Sequence, residues 1–211
     1  MTTVKTLEHD WVNKLPEQLL STDGDALLYQ EFLEQEKADN YLSVLKDTIL
    51  WKHQPIKLFG KEILQPRLTA YFGEGQYHYS GIAMEAQIFP PILLELKAQI
   101  DKVSGVQFNA VLLNLYRDGN DNIGWHSDDE SDLAEGSVIA SLSLGETRRF
   151  IFRRRDNHSC RIERKLSHGD LLIMRDQTQK FWQHQVPKTG KKIAPKIQPR
   201  INLTFRVINI N

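Results

Sequence analysis

The second half of the chain consists of short segments rich in β-branched and aromatic residues, separated by turn residues such as Gly145 and Asn157. Seven segments have this character: residues 108–116, 138–144, 149–152, 161–166, 171–174, 181–186 and 200–208. Many short strands at fairly even spacing indicate a sandwich or a barrel, and a double-sheet jelly roll is the natural candidate. We therefore predict a mainly β fold with supporting helices and a double-stranded β-helix (jelly roll) core.

The first half of the chain adds helices and an arm. Residues 1–24 are polar and mixed, which predicts a loose N-terminal arm. The apolar residues between positions 26 and 50 suit one or two amphipathic helices, or a strand followed by a helix. Pro90 and Pro91 open a helix whose apolar residues recur at helical spacing until Gly105. No segment reads as a linker, so we expect a single domain over residues 25–211.

The charges balance overall, with 27 Lys and Arg against 27 Asp and Glu, so net charge favours neither a nucleic-acid nor a membrane partner. The positive charges nevertheless cluster after residue 146. Such clusters could contact a phosphate backbone, or they could be solvated loop faces. Two clusters stand out: Arg148, Arg149, Arg153, Arg154, Arg155, Arg161, Arg164 and Lys165; then Lys188, Lys191, Lys192, Lys196 and Arg200.

Cys160 is the one cysteine, so an internal disulfide is impossible, which fits a reducing compartment. The first residues lack the apolar core of a signal peptide, and no stretch approaches the ~18 apolar residues of a membrane span. We expect an intracellular protein that is not secreted and has no membrane partner. It would be cytoplasmic in a bacterium and nuclear in a eukaryote. Nothing in the sequence demands a dimer, so a monomer is expected.

His126 and Asp128 lie two positions apart, a spacing that points both side chains to one side of an extended segment. Two histidines and one carboxylate with open positions form the facial triad of non-haem iron(II) oxygenases. A lone His-x-Asp occurs often by chance, so a third ligand has to be found. Among His158, His168 and His184, position favours His184, which lies in a strand-like run late in the chain.

The last predicted strand alternates cleanly: Ile201, Leu203, Phe205 and Val207 on one face; Arg200, Asn202, Thr204 and Arg206 on the other. The two arginines could simply face solvent. They could also bind a dicarboxylate such as 2-oxoglutarate, because a planar guanidinium pairs bidentately with a carboxylate. Six residues at ~3.3 Å each place their Cα atoms about 20 Å apart. Both can therefore reach one small acid only if their side chains fold inward or the strand is kinked.

Several ordered motifs together resemble the AlkB family of Fe(II)/2-oxoglutarate-dependent nucleic-acid demethylases, in particular its DNA-repair branch. The resemblance spans roughly residues 50–208, and the ordered set is far more specific than any single motif. The strong matches are NLYRDGNDNIGWHSDDE (114–130), SLSLG (141–145), HGDLLIM (168–174), WQH (182–184) and PRINLTFR (199–206); weaker ones are LFGK (58–61), PR (66–67) and YHYSG (77–81).

This resemblance implies a role for each matched residue. His126, Asp128 and His184 would be the catalytic triad that binds iron(II). Asn114 and Tyr116 would hydrogen-bond 2-oxoglutarate, Arg200 would pair with its distal carboxylate, and Thr204 and Arg206 would line the same site. With O₂, such a site would demethylate bases of the 1-methyladenine and 3-methylcytosine type in DNA. That reaction is direct-reversal repair and releases formaldehyde and succinate.

Residues about 50–81 would form a nucleotide-recognition region, because a base inside a duplex must be flipped to reach the iron. Phe59 and Gly60 lie between two strand-like runs, so Phe59 could wedge into the base stack from a hairpin tip, or pack on the core. Substrate contacts are also assigned to Lys61, Arg67, Tyr77, His78, Tyr79, Asp129 and Glu130. Asp129 and Glu130 could face a cationic base or form a hydrated loop, and the aromatic run could stack on a base or be ordinary strand residues.

Three alternatives remain open at this point. An RNA demethylase would share the whole triad and differ only in how it handles a duplex. A protein hydroxylase of the same chemistry would need a groove for an extended peptide, and the basic clusters and the aromatic run at residues 77–79 argue against it. A jelly-roll binding module without activity would have no need of a complete ligand set.

Overall fold

Two antiparallel sheets form the body of the protein. The computed structural model describes residues 15–58, 61–74, 77–79, 82–133 and 136–209. The seven-stranded sheet has the order β1 (Glu17–Leu20), β2 (Asp25–Tyr29), β13 (Leu171–Arg175), β10 (Ile139–Gly145), β15 (Arg200–Arg206), β8 (Ala110–Tyr116) and β5 (Leu68–Gly73). The four-stranded sheet has the order β12 (Arg161–Leu166), β11 (Arg148–Arg154), β14 (Trp182–Val186) and β9 (Ile123–His126). The prediction of a mainly β, jelly-roll fold is confirmed.

Smaller elements surround the two sheets. Two separate two-stranded sheets are formed by β3 (Pro55–Leu58) with β4 (Lys61–Leu64) and by β6 (Tyr77–Tyr79) with β7 (Ile82–Met84). The helices are α1 (Gln35–Thr48), α2 (Pro91–Ser104) and α3 (Thr178–Phe181), with a 3₁₀ turn at Ala194–Lys196. None of the helices in the described part of the chain is long and apolar enough to cross a membrane.

The helices α1 and α2 cover one face of the seven-stranded sheet. Leu93, Leu96 and Ile100 of α2 recur at helical spacing and pack in one buried cluster with Leu203 and Phe205 of β15. Proline in the first turn opens α2, and Gly105 closes it in the left-handed conformation at φ 73°. The predicted helix after Pro90 is therefore confirmed, and the segment from residue 26 is a strand followed by a helix.

A second buried cluster fills the space between the two sheets. It contains Leu112 and Tyr116 of β8, Phe150 and Phe152 of β11, and Trp182 of β14. Every residue of β15 is buried, so the polar face of this strand points into that space rather than into solvent. The alternation in the sequence therefore comes from a strand that is covered on both faces, by helices on its apolar side and by the four-stranded sheet on its polar side. The solvent-exposed alternative for its arginines is wrong.

The expectation of a loose arm over residues 1–24 is wrong for residues 17–20, which form β1 and pair with β2 at the sheet edge. Leu19 and Leu20 are buried in the cluster between the sheets, and Glu17 forms an ion pair with Arg164 at 2.6 Å. A four-residue strand with one apolar pair is too short to show a periodic pattern. Its burial depends on strands far along the chain.

Candidate metal and cosubstrate site

A pocket between the two sheets gathers most of the polar residues that the sequence singles out. Strands β8 and β15 supply one wall, and β9 and β14 supply the other. The lining side chains include Asn114, Tyr116, His126, Asp128, Ser141, His184, Arg200, Asn202, Thr204 and Arg206. Residues separated by as many as 92 positions (114 to 206) thus meet in one place because neighbouring strands are distant in sequence.

His126, Asp128 and His184 bring one ligand atom each to within 4.8 Å of the others. His126 Nε2 lies 3.9 Å from Asp128 Oδ1, and His184 Nε2 lies 3.9 Å from Asp128 Oδ2. The two histidines are register partners on β9 and β14, and partners in an antiparallel pair point to the same face. Sheet pairing therefore supplies the third ligand that His-x-Asp needs, and it selects His184.

Both histidines are neutral and suited to metal binding. Burial lowers the pKa of His184 to about 3, and burial also lowers the pKa of His126. His126 Nδ1 donates a hydrogen bond to the Gly124 carbonyl oxygen at 2.9 Å, which leaves the lone pair on Nε2, the atom that faces Asp128. A partner on one ring nitrogen commonly fixes the tautomer of a metal-binding histidine in this way.

Arg206 holds the carboxylate of Asp128. Its Nη2 donates to Asp128 Oδ1 at 2.7 Å, and both side chains are almost fully buried. Burial alone would raise the pKa of Asp128, but the charge of Arg206 and its hydrogen bond hold that pKa well below its usual value. Asp128 is therefore anionic at neutral pH, which gives the cluster the two neutral nitrogens and one negative oxygen of a facial triad.

Arg200 makes the distal end of the pocket strongly cationic. It is 1% exposed, and its Nη2 donates to Ser143 Oγ at 2.9 Å, while Nε and Nη1 have no hydrogen-bond partner in the described part of the chain. Burial lowers its pKa to about 10, so it stays charged at neutral pH. A buried charge without a carboxylate is costly, so this end of the pocket suits an anionic ligand.

Arg148 adds a second guanidinium beside the same aromatic ring. The guanidinium carbon atoms of Arg148 and Arg200 lie 5.6 and 5.3 Å from the centre of the Tyr116 ring. Arg148 is buried and donates to the carbonyl oxygens of Asp118, Asp121 and Pro187. The sequence places Arg148 in a basic surface cluster, and the structure shows instead that it ties the loop after β8 to the end of β14.

Arg67 is predicted to contact substrate, and the structure gives it a different position. It is 4% exposed, and its Nε donates to Asn114 Oδ1 at 2.6 Å. Because that oxygen accepts from Arg67, the amide nitrogen of Asn114 remains as a donor for a ligand in the pocket. Arg67 precedes β5, which pairs with β8, and this pairing turns its side chain inward to support Asn114.

Short polar side chains line the centre of the pocket, and two of them, Asn202 and Ser141, were not assigned to the site from the sequence. Asn202 Nδ2 donates to Ser141 Oγ at 2.8 Å, and Thr204 Oγ1 donates to Asn202 Oδ1 at 3.1 Å. The signal for Asn202 was present, because it shares the polar face of β15 with Arg200 and Arg206. Ser141 could be found only from the pairing of β10 with β15.

The predicted substrate contacts lie at the edge of the described structure. Phe59 and Gly60 fall outside the described residues, and Lys61, Tyr77, His78 and Tyr79 are placed only as strand backbone of β4 and β6. Asp129 is exposed and forms an ion pair with Arg155 at 3.0 Å, and Glu130 is half-buried beside it. The roles of these seven side chains and of the Gly60 backbone remain predictions.

Acidic neighbours neutralise much of the first basic cluster. Ion pairs join Arg149 to Glu163, Arg154 to Asp23 and Asp156, Arg155 to Asp129, and Arg164 to Glu17. Arg153 and Arg161 have no carboxylate partner among the described residues. They lie instead on the ring of half-buried Trp125, with guanidinium carbons 4.2 and 5.8 Å from its centre. Only part of this cluster is thus available to an anionic partner.

Comparison with known proteins gives the family. The sequence model described as the 2OG-Fe(II) oxygenase superfamily matches residues 25–206. The DNA oxidative demethylase ALKBH2 of Arabidopsis thaliana is 32% identical, with the alignment covering 90% of this chain and 68% of that protein. The chain belongs to the 2OG-Fe(II) oxygenase superfamily, in its AlkB branch. The cofactors of this superfamily, Fe(II) and 2-oxoglutarate, fit the triad and the cationic end of the pocket.

Other members of the superfamily are similar over most of the chain. The alpha-ketoglutarate-dependent dioxygenase alkB homolog 3 of Homo sapiens is 40% identical over 190 residues, or 86% of this chain. This chain covers 65% of that human protein and 64% of the Bos taurus homolog, slightly less than two thirds of their lengths. A solved structure, that of OsALKBH1, has the same fold with a TM-score of 0.61 at 20% identity, covering 86% of this chain and 97% of that one.

Proposed function

We propose that this protein is an Fe(II)/2-oxoglutarate-dependent dioxygenase that demethylates N-alkylated bases, of the 1-methyladenine and 3-methylcytosine type, in DNA. The observation that carries the proposal is one pocket with two complementary ends. One end holds the triad, and the other holds the buried Arg200, two of whose nitrogens have no hydrogen-bond partner in the described part of the chain. An ion and a small dicarboxylate together satisfy both ends. Two relatives described as DNA oxidative demethylases support the choice of substrate.

Each residue of the pocket then has a role. His126, Asp128 and His184 would hold iron(II), and Arg206 would keep the Asp128 carboxylate charged and oriented. Arg200 would bind the distal carboxylate of 2-oxoglutarate, while Asn114, Tyr116 and Thr204 would offer hydrogen bonds along its length. When bound, iron and 2-oxoglutarate supply the activation of O₂ that oxidises the N-methyl group. The methyl carbon leaves as formaldehyde, and 2-oxoglutarate is converted to succinate and CO₂.

A methylated base has to leave the duplex to reach this pocket, and the cost of flipping is lowest for a base that pairs poorly. We place the groups that manage the flipped base in residues about 50–81, which precede the pocket strands. Phe59, which lies between β3 and β4 in the sequence, would fill the gap, together with Gly60 and Lys61. Tyr77, His78 and Tyr79 would stack on the base, and Asp129 or Glu130 would face its positive charge.

A cationic surface beside the pocket supports a polyanionic partner. Trp125 lies on β9 next to His126, and Arg153 and Arg161 stack on its ring without a carboxylate partner in the described part of the protein. On the connection from β14 to β15, Lys188, Lys191, Lys192 and Lys196 are exposed. These groups could neutralise phosphates in DNA or RNA and offer little to a neutral peptide.

The remaining proposals follow from the same observations. We infer a single catalytic domain from residue 25 onward that acts as a monomer, because one chain contributes every group of the pocket. An intracellular location, nuclear in a eukaryote and cytoplasmic in a bacterium, fits a protein that acts on DNA. An RNA demethylase remains the second candidate, since the exposed lysines and the Trp125 surface serve either polymer.

Formaldehyde release from one methylated sequence in three forms separates these candidates. With Fe(II), ascorbate and 2-oxoglutarate, we expect turnover on 1-methyladenine in duplex and single-stranded DNA to exceed turnover on the matched RNA. Phe59→Ala should reduce turnover on the duplex more than on the single strand, because only the duplex needs a wedge. Faster turnover on RNA would overturn the DNA assignment. Equal turnover of wild type and Phe59→Ala on duplex DNA would refute the wedge.

A further inference from the structure

The backbone of Asp128 is held in an unusual way. Asp128 lies two residues beyond His126, where β9 ends, so it is outside the strand ladder, and it is buried at 5% exposure. A buried backbone N–H that is not paired costs free energy comparable to a lost hydrogen bond. In the described structure the Asp128 N–H donates to the side-chain oxygen Oε1 of Gln179, at 2.9 Å and 51 residues away.

Gln179 is itself firmly placed. It lies in α3, the single turn between β13 and β14, and Thr178 anchors that turn by hydrogen bonds to the carbonyl oxygens of Asp25 and Arg175. The other end of the Gln179 amide, Nε2, approaches the sulfur of Met174 at 3.5 Å, and Met174 lines the pocket. The Gln179 amide therefore connects Met174 in the pocket wall to the backbone of Asp128.

The same turn holds the residues on either side of Asp128. Ser127 Oγ donates to the Trp182 carbonyl oxygen at 3.0 Å, and Asp129 pairs with Arg155. The Arg155 backbone N–H in turn donates to the carbonyl oxygen of Phe181, the last residue of α3. Trp182 is the first residue of β14, the strand that carries His184. The α3 turn therefore connects the segment that carries Asp128 to the strand that carries His184.

We propose that Gln179 is a positioning residue for the metal centre: its side chain fixes the backbone of Asp128 and so directs the Asp128 carboxylate toward the two histidines. Asp128 is then restrained at both ends, by Arg206 at the carboxylate and by Gln179 at the amide. The inference rests on the proposed metal site, and it adds a residue outside the pocket lining. A partner behind a metal ligand typically changes metal affinity by about 10- to 100-fold when it is removed.

Cobalt(II) binding to the full chain tests the inference without requiring turnover. Gln179→Leu keeps the size of the side chain and removes the acceptor, so we expect its dissociation constant for cobalt(II) to rise at least about tenfold. The cobalt(II) ligand-field absorption should change as well, because the carboxylate is no longer held in place. Gln177→Leu, on an exposed glutamine two residues earlier in the same connection, is the matched control and should bind as wild type does.

A second variant separates the hydrogen bond from local packing. Gln179→Glu retains an acceptor oxygen at the same reach, so it should restore cobalt(II) affinity to within about threefold of wild type. Should Gln179→Leu not fold, as judged by thermal unfolding of the metal-free protein, Gln179→Asn takes its place, since its shorter amide cannot reach the Asp128 N–H. Wild-type affinity in Gln179→Leu, or equal loss in the Glu and Leu variants, would overturn the inference. Failure of the wild-type protein to bind cobalt(II) would instead refute the proposed metal site.

Discussion

Replacing His184 with alanine is expected to abolish turnover and to weaken cobalt(II) binding by at least about 100-fold, beyond the range typical of residues that only support a ligand. His184 is 4% exposed, and its Nε2 points at Asp128, so its loss leaves two ligands in a site that needs three. The measurement is the cobalt(II) dissociation constant beside succinate formation, with thermal unfolding of the metal-free protein as the check on the fold.

The matched control is His158→Ala, because His158 is the exposed loop histidine that competes with His184 in the sequence. This variant should bind cobalt(II) and form succinate as wild type does. Loss of cobalt(II) binding in His158→Ala, or its retention in a folded His184→Ala protein, would contradict the assignment of the third ligand. Either result would also remove the reason for placing iron between β9 and β14.

Replacing Arg200 with methionine is expected to weaken binding of 2-oxoglutarate by roughly 30- to 4,000-fold. Removal of one partner from a buried, hydrogen-bonded charge pair costs about 2–5 kcal/mol, and each 1.4 kcal/mol is a factor of ten in affinity. Methionine replaces the unbranched stem of the side chain as far as the Nε position, so it removes the guanidinium with little change to the packing around the stem. The measurement is the dissociation constant of 2-oxoglutarate for the metal-loaded protein.

Arg149→Met is the matched control for this prediction, because Arg149 is exposed on β11 and paired with Glu163. It should leave 2-oxoglutarate binding unchanged. Arg200→Lys should fall between the two, since an ammonium keeps the charge but cannot form a bidentate pair. Cobalt(II) affinity without cosubstrate should be the same in all three variants. Unchanged 2-oxoglutarate affinity in Arg200→Met would place the dicarboxylate elsewhere.

The sequence predicted the parts of the site that depend on local periodicity. The two-residue spacing of His126 and Asp128 and the alternation along residues 200–207 require only that each segment be extended. These patterns place chemical groups on one face of each segment, and the packing of the two sheets brings these groups into one pocket. The two proline residues before α2 and Gly105 after it likewise act locally, which is why that helix was predictable.

Contacts between distant segments were not predictable. In the sequence Arg148 looks like any member of its basic cluster, yet burial among three carbonyl oxygens makes it structural. Arg67 is predicted to contact substrate, and its side chain donates a hydrogen bond to Asn114. The two arginines of β15 differ in their partners. Arg206 pairs with Asp128 from the opposite side of the pocket, whereas Arg200 is assigned to a ligand. Gln179 gives no sequence signal, because its partner lies 51 residues away.

The stoichiometry of products from a single methylated oligonucleotide tests the central claim most directly. Wild-type protein with Fe(II), ascorbate and 2-oxoglutarate is incubated with DNA that carries one 1-methyladenine, and with the same DNA without the methyl group. We expect formaldehyde and succinate in equal amounts from the methylated DNA, no formaldehyde from the unmethylated DNA, and neither product with His184→Ala. Succinate formation that does not depend on the methyl group, with no formaldehyde from either DNA, would contradict a base demethylase.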